Sequence, residues 1–181
     1  MIPWRTISRK VILDRRPHLV VEERHIALPD GSEITDWTWL DTPDFVIVMA
    51  VNAMGKFLVF EQTKYAVKGP IFAPVGGYME AGEEPLTAAK RELLEETGYT
   101  SPDWVFLGDF ITDANRGNGR GYYFLARQAS QTAEINSDDL EEQHLKLLDR
   151  EQVEELVEAG DVRIITGQAG FAMALLRLYY L

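Results

Sequence analysis

A cluster of glutamates near the middle of the chain constrains this protein more than any other feature of its sequence. Six acids fall within residues 80–96, and three of them, Glu92, Glu95 and Glu96, stand at positions i, i+3 and i+4. A helix is predicted over residues 85–98, because its first residue is a proline and its last a glycine that suits a C-terminal cap. On that helix the three carboxylates share one face within a single turn.

Two interpretations of this acidic face remain open. A run of charges is often a solvated helix surface. However, like charges at this spacing cost roughly 0.2–0.5 kcal/mol per pair, and only Arg91 lies close enough to balance them. A cation with oxygen ligands, such as Mg²⁺, would neutralise the cluster and bridge to phosphate groups. The residues expected on the other side of the helix are Leu86, Ala89, Leu93, Leu94 and Thr97.

The remaining pattern predicts an α/β protein with a mixed sheet and helices packed against it. Strands are predicted at 19–28, 34–40, 45–51, 56–61, 71–75, 104–110, 121–127 and 144–148, and further helices at 149–158 and 166–180. The first two strands form an N-terminal antiparallel pair around the turn at 29–31. A mobile polar loop is expected over 113–121.

Composition narrows the classes of function. The net charge of −11 repels polyphosphate chains, so nucleic acid is not expected as a partner, whereas a small anionic substrate can still bind beside a cation. The chain has no cysteine, which excludes disulfides, thiolate zinc sites and a cysteine nucleophile. Neither a signal peptide nor a membrane span is predicted, and a cytoplasmic location is the resulting expectation.

The acidic helix belongs to a longer motif. Gly77 is followed after five residues by Glu83, and after seven more by the uninterrupted run 91–99, which reads Arg-Glu-Leu-Leu-Glu-Glu-Thr-Gly-Tyr. Every defined position of this stretch resembles the Nudix box, so the chain is identified as similar to the Nudix hydrolases. The resemblance implies an α/β/α sandwich in which the box forms a loop, a helix and a loop.

The same resemblance implies roles for residues of the box. Glu92, Glu96 and the carbonyl of Gly76 correspond to metal ligands, and Glu95 beside them corresponds to a catalytic carboxylate. Mg²⁺ is the expected cofactor, with Mn²⁺ as a substitute. The positions expected to shape the box are Gly77, Glu83, Arg91 and Gly98, with Glu83 and Arg91 forming an ion pair.

Outside the box, the layout resembles the ADP-ribose and nucleoside-diphosphate-sugar pyrophosphatases of that family. This implies strands at 1–42 that form a homodimer, ahead of a Nudix domain at 43–181. It also implies that a late acidic loop, here with Asp139, Glu141 and Glu142, supplies a metal contact or a general base. A solvated turn before a strand is the alternative interpretation of these acids.

Four residues are expected to bind substrate. The resemblance implies that Trp37 stacks on the base, although packing in a core or an interface is equally compatible with the sequence; Trp4 and Trp39 are further candidates. Lys64 stands where the subgroup has an arginine, and it cannot form a bidentate fork to phosphate. Arg116 and Arg120 offer positive charge in the 113–121 segment.

The predicted reaction is Mg²⁺-dependent hydrolysis of the pyrophosphate of ADP-ribose or a related nucleotide sugar, giving a nucleoside monophosphate and a sugar phosphate. Hydrolysis of a nucleoside triphosphate or a dinucleoside polyphosphate is an alternative enzyme function. A regulator that binds a nucleotide sugar without cleaving it is the alternative from another class.

Overall fold

The computed structural model describes residues 1–135 and 142–180. It divides the chain into two compact units, one built from residues 1–44 and 110–120, the other from residues 45–109 and the described residues from 121 onward. The strands are β1 (Arg5–Arg15), β2 (Leu19–Ala27), β3 (Glu33–Asp41), β4 (Phe45–Asn52), β5 (Phe57–Gln62), β6 (Ile71–Ala73), β7 (Val75–Tyr78), β8 (Tyr99–Thr100), β9 (Asp103–Asp113), β10 (Gly117–Gln131) and β11 (Gln143–Leu148). The helices are α1 (Pro85–Thr97), α2 (Arg150–Ala159) and α3 (Ile165–Tyr179).

The first unit contains an antiparallel meander of β1, β2 and β3. The predicted pair β2–β3 is confirmed, with its turn closed by a hydrogen bond from the amide of Leu28 to the carbonyl of Ser32 at 2.8 Å. Strand β1 was not predicted. All of its residues are exposed, so it has no alternation of buried and exposed side chains to reveal it. Its observed pairing is with β2, by backbone hydrogen bonds that depend little on side-chain type.

The polar segment 113–121 is mostly strand, so its prediction as a loop was wrong. Strand β10 begins at Gly117, after a short turn in which the Asp113 carboxylate accepts hydrogen bonds from the amides of Asn115 at 2.9 Å and Arg116 at 3.1 Å. Gly117 adopts φ +81, and a Cβ there would lie 2.6 Å from the carbonyl oxygen of Leu40. Glycine therefore lets the turn pass close to the end of β3.

The second unit is built on a mixed sheet. Strands β4 and β5 form the predicted antiparallel hairpin, and β10 pairs with β4 in parallel. Strand β7 lies antiparallel to β4, while β6 and β11 are antiparallel to β5. Pro74 separates β6 from β7, so the single strand predicted at 71–75 is two short ones.

Alternate residues of β4 face two hydrophobic clusters, one on each side of the sheet, as a period of two requires. The cluster on the α1 side includes Val46, Val48, Ala50, Leu58, Phe60, Ala88, Ala89 and Leu93. The cluster on the α2 and α3 side includes Met49, Val51, Phe57, Val59, Leu125, Val153, Phe171 and Ala174. Helices on both faces of a mixed sheet confirm the predicted α/β/α sandwich.

The three helices begin and end close to the predicted residues. Helix α1 has Pro85 in its first turn and ends at Gly98, whose φ of 72 is left-handed. Helix α2 begins after Asp149, whose amide donates to the Gln152 side chain at 2.8 Å. In the ranges that the structure describes, no helix combines the length and apolar character needed to cross a membrane.

Candidate active site

Helix α1 holds its acidic turn partly inside the protein rather than on an outer face. Glu92 is only 9% exposed and lies in the buried stripe with Ala88 and Ala89. Of the residues expected on the opposite side from the acids, Ala89, Leu93 and Thr97 are buried, whereas the expectation was wrong for Leu86 and Leu94, which are exposed. The part of the helix that packs on the sheet combines the small residues Ala88 and Ala89 with Leu93.

The glycine pair before the helix brings the backbone against these carboxylates. The amide of Gly76 donates a hydrogen bond to Glu96 at 3.2 Å. The carboxylate of Glu92 lies so close to Gly77 that a Cβ at this position would overlap it. Glycine is needed here for close approach, which the bare Gly-Gly pair in the sequence suggested only weakly.

Arg91 connects the loop before α1 to the acidic turn. It donates to both oxygens of Glu83, at 3.0 and 2.9 Å, and its third nitrogen donates to Glu92 at 2.7 Å and Glu95 at 3.1 Å. These hydrogen bonds hold the pKa of Glu83 below its usual value and raise the pKa of Arg91, with Glu83 as the largest cause. Arg91 therefore stays positively charged.

Of the three acids predicted to act after the box, only Glu142 is among the residues that the structure describes. The Glu142 side chain is 83% exposed, and its Oε1 atom lies 3.3 Å from Nε2 of His144. Asp139 and Glu141 lie outside the described residues. Within residues 1–135 and 142–180, no group of three or more acidic or histidine side chains forms a recognisable metal site.

The tryptophans of the first unit line a cavity of about 400 Å³. Trp37 donates from its indole nitrogen to the carbonyl of Asn115 at 2.9 Å, and its ring meets Trp4 edge-on with centroids 5.5 Å apart. Arg24 stacks on Trp39 at 4.0 Å and is paired with Glu22 at 2.7 Å, which is 8% exposed. Arg24 was not selected from the sequence; its one signal is an acid–base pair at i, i+2 on one face of a strand.

The other residues predicted to bind substrate, Lys64, Arg116 and Arg120, are divided between the two units. Arg116 is exposed and lies 3.7 Å from Asp113, and the amide of Arg120 donates to Asp44 at 2.9 Å. Both belong to the first unit with Trp37, whereas Lys64, which is half-buried, belongs to the second unit with the glutamate turn. Gly98 ends α1, and its carbonyl accepts hydrogen bonds from the amides of residues 132 and 133 at 2.8 and 3.0 Å.

Comparison with known proteins agrees with this geometry. The model of the Nudix domain family matches residues 40–166, so this chain belongs to the Nudix family and is a Nudix hydrolase. It is 30% identical over 142 residues to an ADP-ribose pyrophosphatase of Bacillus subtilis (strain 168), covering 76% of this chain and 75% of that one. Nudix hydrolases generally use divalent metal ions.

Two further proteins are similar to this chain, one over a shorter stretch of sequence and the other at lower sequence identity. The chain is 30% identical over 89 residues to a methanol dehydrogenase activator of Bacillus methanolicus, covering 49% of this chain and 48% of that one. A crystal structure of an ADP compounds hydrolase superposes with a TM-score of 0.81 at 15% identity, covering 99% of this chain and 95% of that one. At this low identity the superposition confirms the fold alone.

Proposed function

We propose that this protein hydrolyses the pyrophosphate bond of ADP-ribose or a related nucleoside-diphosphate sugar, releasing a nucleoside monophosphate and a sugar phosphate. The observation that carries the proposal is the turn of glutamates on α1 held against the backbone of Gly76 and Gly77. The substrate class is supported by the similarity to an ADP-ribose pyrophosphatase over three quarters of both chains.

The donors around this turn fit a hard divalent cation. Glu92 and Glu96 supply carboxylate oxygens, the ligand type that Mg²⁺ and Mn²⁺ prefer, and the chain has no thiolate that would favour a softer metal. Together with the Gly76 carbonyl, they are the proposed ligands of Mg²⁺, with Mn²⁺ as a substitute. When bound, such a cation supplies positive charge to the phosphate oxygens, where negative charge develops during hydrolysis.

A carboxylate is the proposed general base for the attacking water. Glu95 lies beside the proposed ligands on α1, and its side chain is 47% exposed, so a water molecule can reach its carboxylate. Glu142, Asp139 and Glu141 are the other candidates. Substituting each acid separately by its amide and measuring turnover against pH would distinguish them, because loss of the base removes the acidic limb of the profile.

The tryptophan cavity in the first unit is the proposed site for the base. Trp37 and Trp4 offer aromatic surface there, and Arg24 adds a guanidinium held in place by Glu22. An aromatic ring of the substrate would gain stacking energy against such surfaces. Lys64, Arg116 and Arg120 remain proposed contacts to the anionic part of the substrate.

A homodimer is part of the proposal, with residues 19–40 in contact with the second subunit. The neighbouring strand β1 supports an interface in this region, since Ile7, Val11 and Leu13 on it are exposed apolar side chains. It also carries four basic residues in a chain of net charge −11, so this strand would attract an acidic surface on the second copy.

A substrate panel tests the proposed reaction. The protein with Mg²⁺ is incubated with ADP-ribose, other nucleotide sugars, ATP and a dinucleoside polyphosphate, and the products are separated by chromatography. AMP and ribose phosphate are expected from ADP-ribose, and a chelator should abolish their formation. Cleavage of only the triphosphate or the polyphosphate would replace the proposed substrate class, and tight binding of ADP-ribose without turnover would indicate a regulator.

A further inference from the structure

One face of the N-terminal meander gathers an arginine, a buried acid and two tryptophans. Glu22 and Arg24 are two residues apart on β2, and in the register of β2 with β3 they lie opposite Trp39 and Trp37 respectively. Side chains at alternate positions of a strand point to the same face of a sheet, and so do those of directly paired residues. The four side chains therefore lie on one side of the meander, where Arg24 and both tryptophans line the cavity of about 400 Å³.

Arg24 is held in the wall of this cavity from two directions. Its Cζ atom lies 4.0 Å from the ring centroid of Trp39. At its edge, Nε donates to Oε2 of Glu22 at 2.8 Å, and Nη2 lies 2.7 Å from the same oxygen. The side chains of Arg24 and Glu22 are only 18% and 10% exposed. Because the guanidinium is already fixed, little conformational entropy is lost when it bonds a ligand, and it can discriminate between ligands.

The ion pair with Glu22 uses one edge of the guanidinium. Among residues 1–135 and 142–180, the hydrogen bond and the ion pair of the Arg24 side chain both go to Glu22, through Nε and Nη2. A guanidinium has five N–H donors in a rigid fork, so Nη1 and the second hydrogen of Nη2 form another pair of neighbouring donors. The charge of Arg24 is balanced by Glu22, so this second edge suits a neutral group with acceptor atoms.

Two neighbouring donors match two neighbouring acceptors on the edge of a base. Guanine and hypoxanthine present O6 beside N7, whereas adenine presents an amino group beside N7. A guanidinium cannot accept a hydrogen bond, so it would meet the amino group of adenine donor to donor.

The other polar side chains of the cavity do not oppose this selection. Asn115 and Arg5 also line it, and both are exposed. The amide of Asn115 can present either a donor or an acceptor by rotating, so it can bond guanine or adenine equally. The charge of Arg5 suits the anionic part of a nucleotide. Arg24 is therefore the side chain here that is both fixed in place and restricted to donating.

We propose that Arg24 is a specificity-determining residue of the base site: its Nη1–Nη2 edge donates to O6 and N7 of a 6-oxopurine, and Glu22 is the residue that positions it. The inference rests on the proposed function in taking the tryptophan cavity as the site for the base. It narrows the preferred substrates from nucleotide sugars in general to those of guanine or hypoxanthine, with ADP-ribose as a substrate of the same reaction that binds less tightly.

Nucleoside monophosphates test the base site by itself, because they contain no pyrophosphate bond to cleave. Calorimetry in the presence of Mg²⁺ measures the Kd of GMP, IMP, AMP and 7-deaza-GMP for the wild-type protein. GMP and IMP should bind about 5- to 150-fold more tightly than AMP, the range for one bidentate contact of arginine to a base. In 7-deaza-GMP a C–H group replaces N7, so it should lose most of this advantage over AMP.

A double variant then assigns the preference to Arg24. Arg24→Met combined with Glu22→Gln removes the guanidinium without leaving a buried charge unpaired, and it should bind GMP and AMP with nearly equal Kd. Arg16→Met is the matched control. Arg16 also bonds an acid two residues away, Asp14 at 2.6 Å, but it does not line the cavity, so this variant should keep the preference for GMP.

The four ligands on the wild-type protein decide the inference even where the double variant does not fold. Equal Kd values for GMP and AMP, tighter binding of AMP, or no binding of any of the four would each overturn it, as would a preference for GMP that survives in the folded double variant. The proposed function fails separately. A protein that prefers GMP but cleaves neither ADP-ribose nor a GDP-sugar supports the inference and rejects the reaction, whereas cleavage of ADP-ribose without any preference among the bases supports the reaction and rejects the inference.

Discussion

The carboxylate of Glu92 lies against the backbone of Gly77, in space that any larger residue at position 77 would fill. A Cβ there would overlap both oxygens of Glu92. The preceding glycine is confined differently, because a Cβ at Gly76 would lie 2.6 Å from the carbonyl oxygen of Val46 in strand β4. Gly77 thus makes room for the end of a flexible side chain, whereas Gly76 makes room for the backbone of a strand.

The two glycines should therefore respond differently to substitution by alanine. Gly77→Ala should lower kcat/KM by about 10- to 100-fold, as for other displaced metal-site groups, while thermal stability changes little because the end of Glu92 can rotate away. Gly76→Ala should lower the melting temperature, because β4 must shift to accommodate it. Thermal unfolding and turnover measured on both variants check this, and wild-type turnover of Gly77→Ala would contradict it.

The sequence predicted the fold of the second unit well because its signals are local. Helix α1 has a proline at its first residue and the glycine Gly98 as its C-terminal cap, and both are recognisable in the sequence. The hairpin of β4 and β5 is recognisable because both strands are runs of apolar residues. Strand β1 could not be predicted, because a strand exposed on both faces leaves no periodic trace. Its position depends on pairing with β2, which no local pattern encodes.

The candidate site was predictable as a list of residues but not as an arrangement. The motif spacing identified Glu92, Glu96 and the partner pair of Glu83 and Arg91. It also placed Arg91 near the acidic turn, but it did not indicate which of the acids Arg91 contacts, nor that Arg24 lines a cavity with the tryptophans. Such contacts depend on side-chain rotamers and on residues far apart in the chain, about which spacing along one helix carries no information.

Glu96→Gln should abolish hydrolysis without unfolding the protein. The substitution removes a proposed ligand and one negative charge from the turn, while the amide oxygen can still accept the hydrogen bond from Gly76. In the presence of a chelator, thermal stability should be unchanged or higher, because like-charge repulsion on the helix is reduced. Turnover and unfolding curves with and without Mg²⁺ provide the measurement, and wild-type turnover would rule out the proposed ligand.

Acid should remove part of the stabilisation that Glu83 provides. Its pKa is lowered from 4.5, mainly by the hydrogen bonds from Arg91, so the stabilisation is complete above the unfolded pKa and is lost as the pH falls through the folded pKa. Glu83→Gln should lower the free energy of unfolding at neutral pH and make it less dependent on pH below 4.5. Urea unfolding of both proteins from pH 7 downward tests this; parallel curves would contradict it.

Trp37→Ala should separate substrate binding from the chemical step. If the indole stacks on the base, its loss removes about 1–3 kcal/mol of binding and raises KM about 5- to 150-fold, with a smaller effect on kcat because the base is remote from the reacting phosphorus. Trp104→Ala is the matched control: Trp104 also donates to a backbone carbonyl, that of Ser101 at 2.9 Å, and meets Phe124 edge-on, so its loss should lower stability without raising KM.

Light scattering must accompany the kinetics, because Trp37 also bonds Asn115 and packs on Trp4, and its removal can loosen the proposed dimer. An unchanged KM in an intact Trp37→Ala dimer would refute the stacking role, and a monomeric wild type at micromolar concentration would refute the dimer, while the assignment of the pyrophosphatase reaction would stand in both cases.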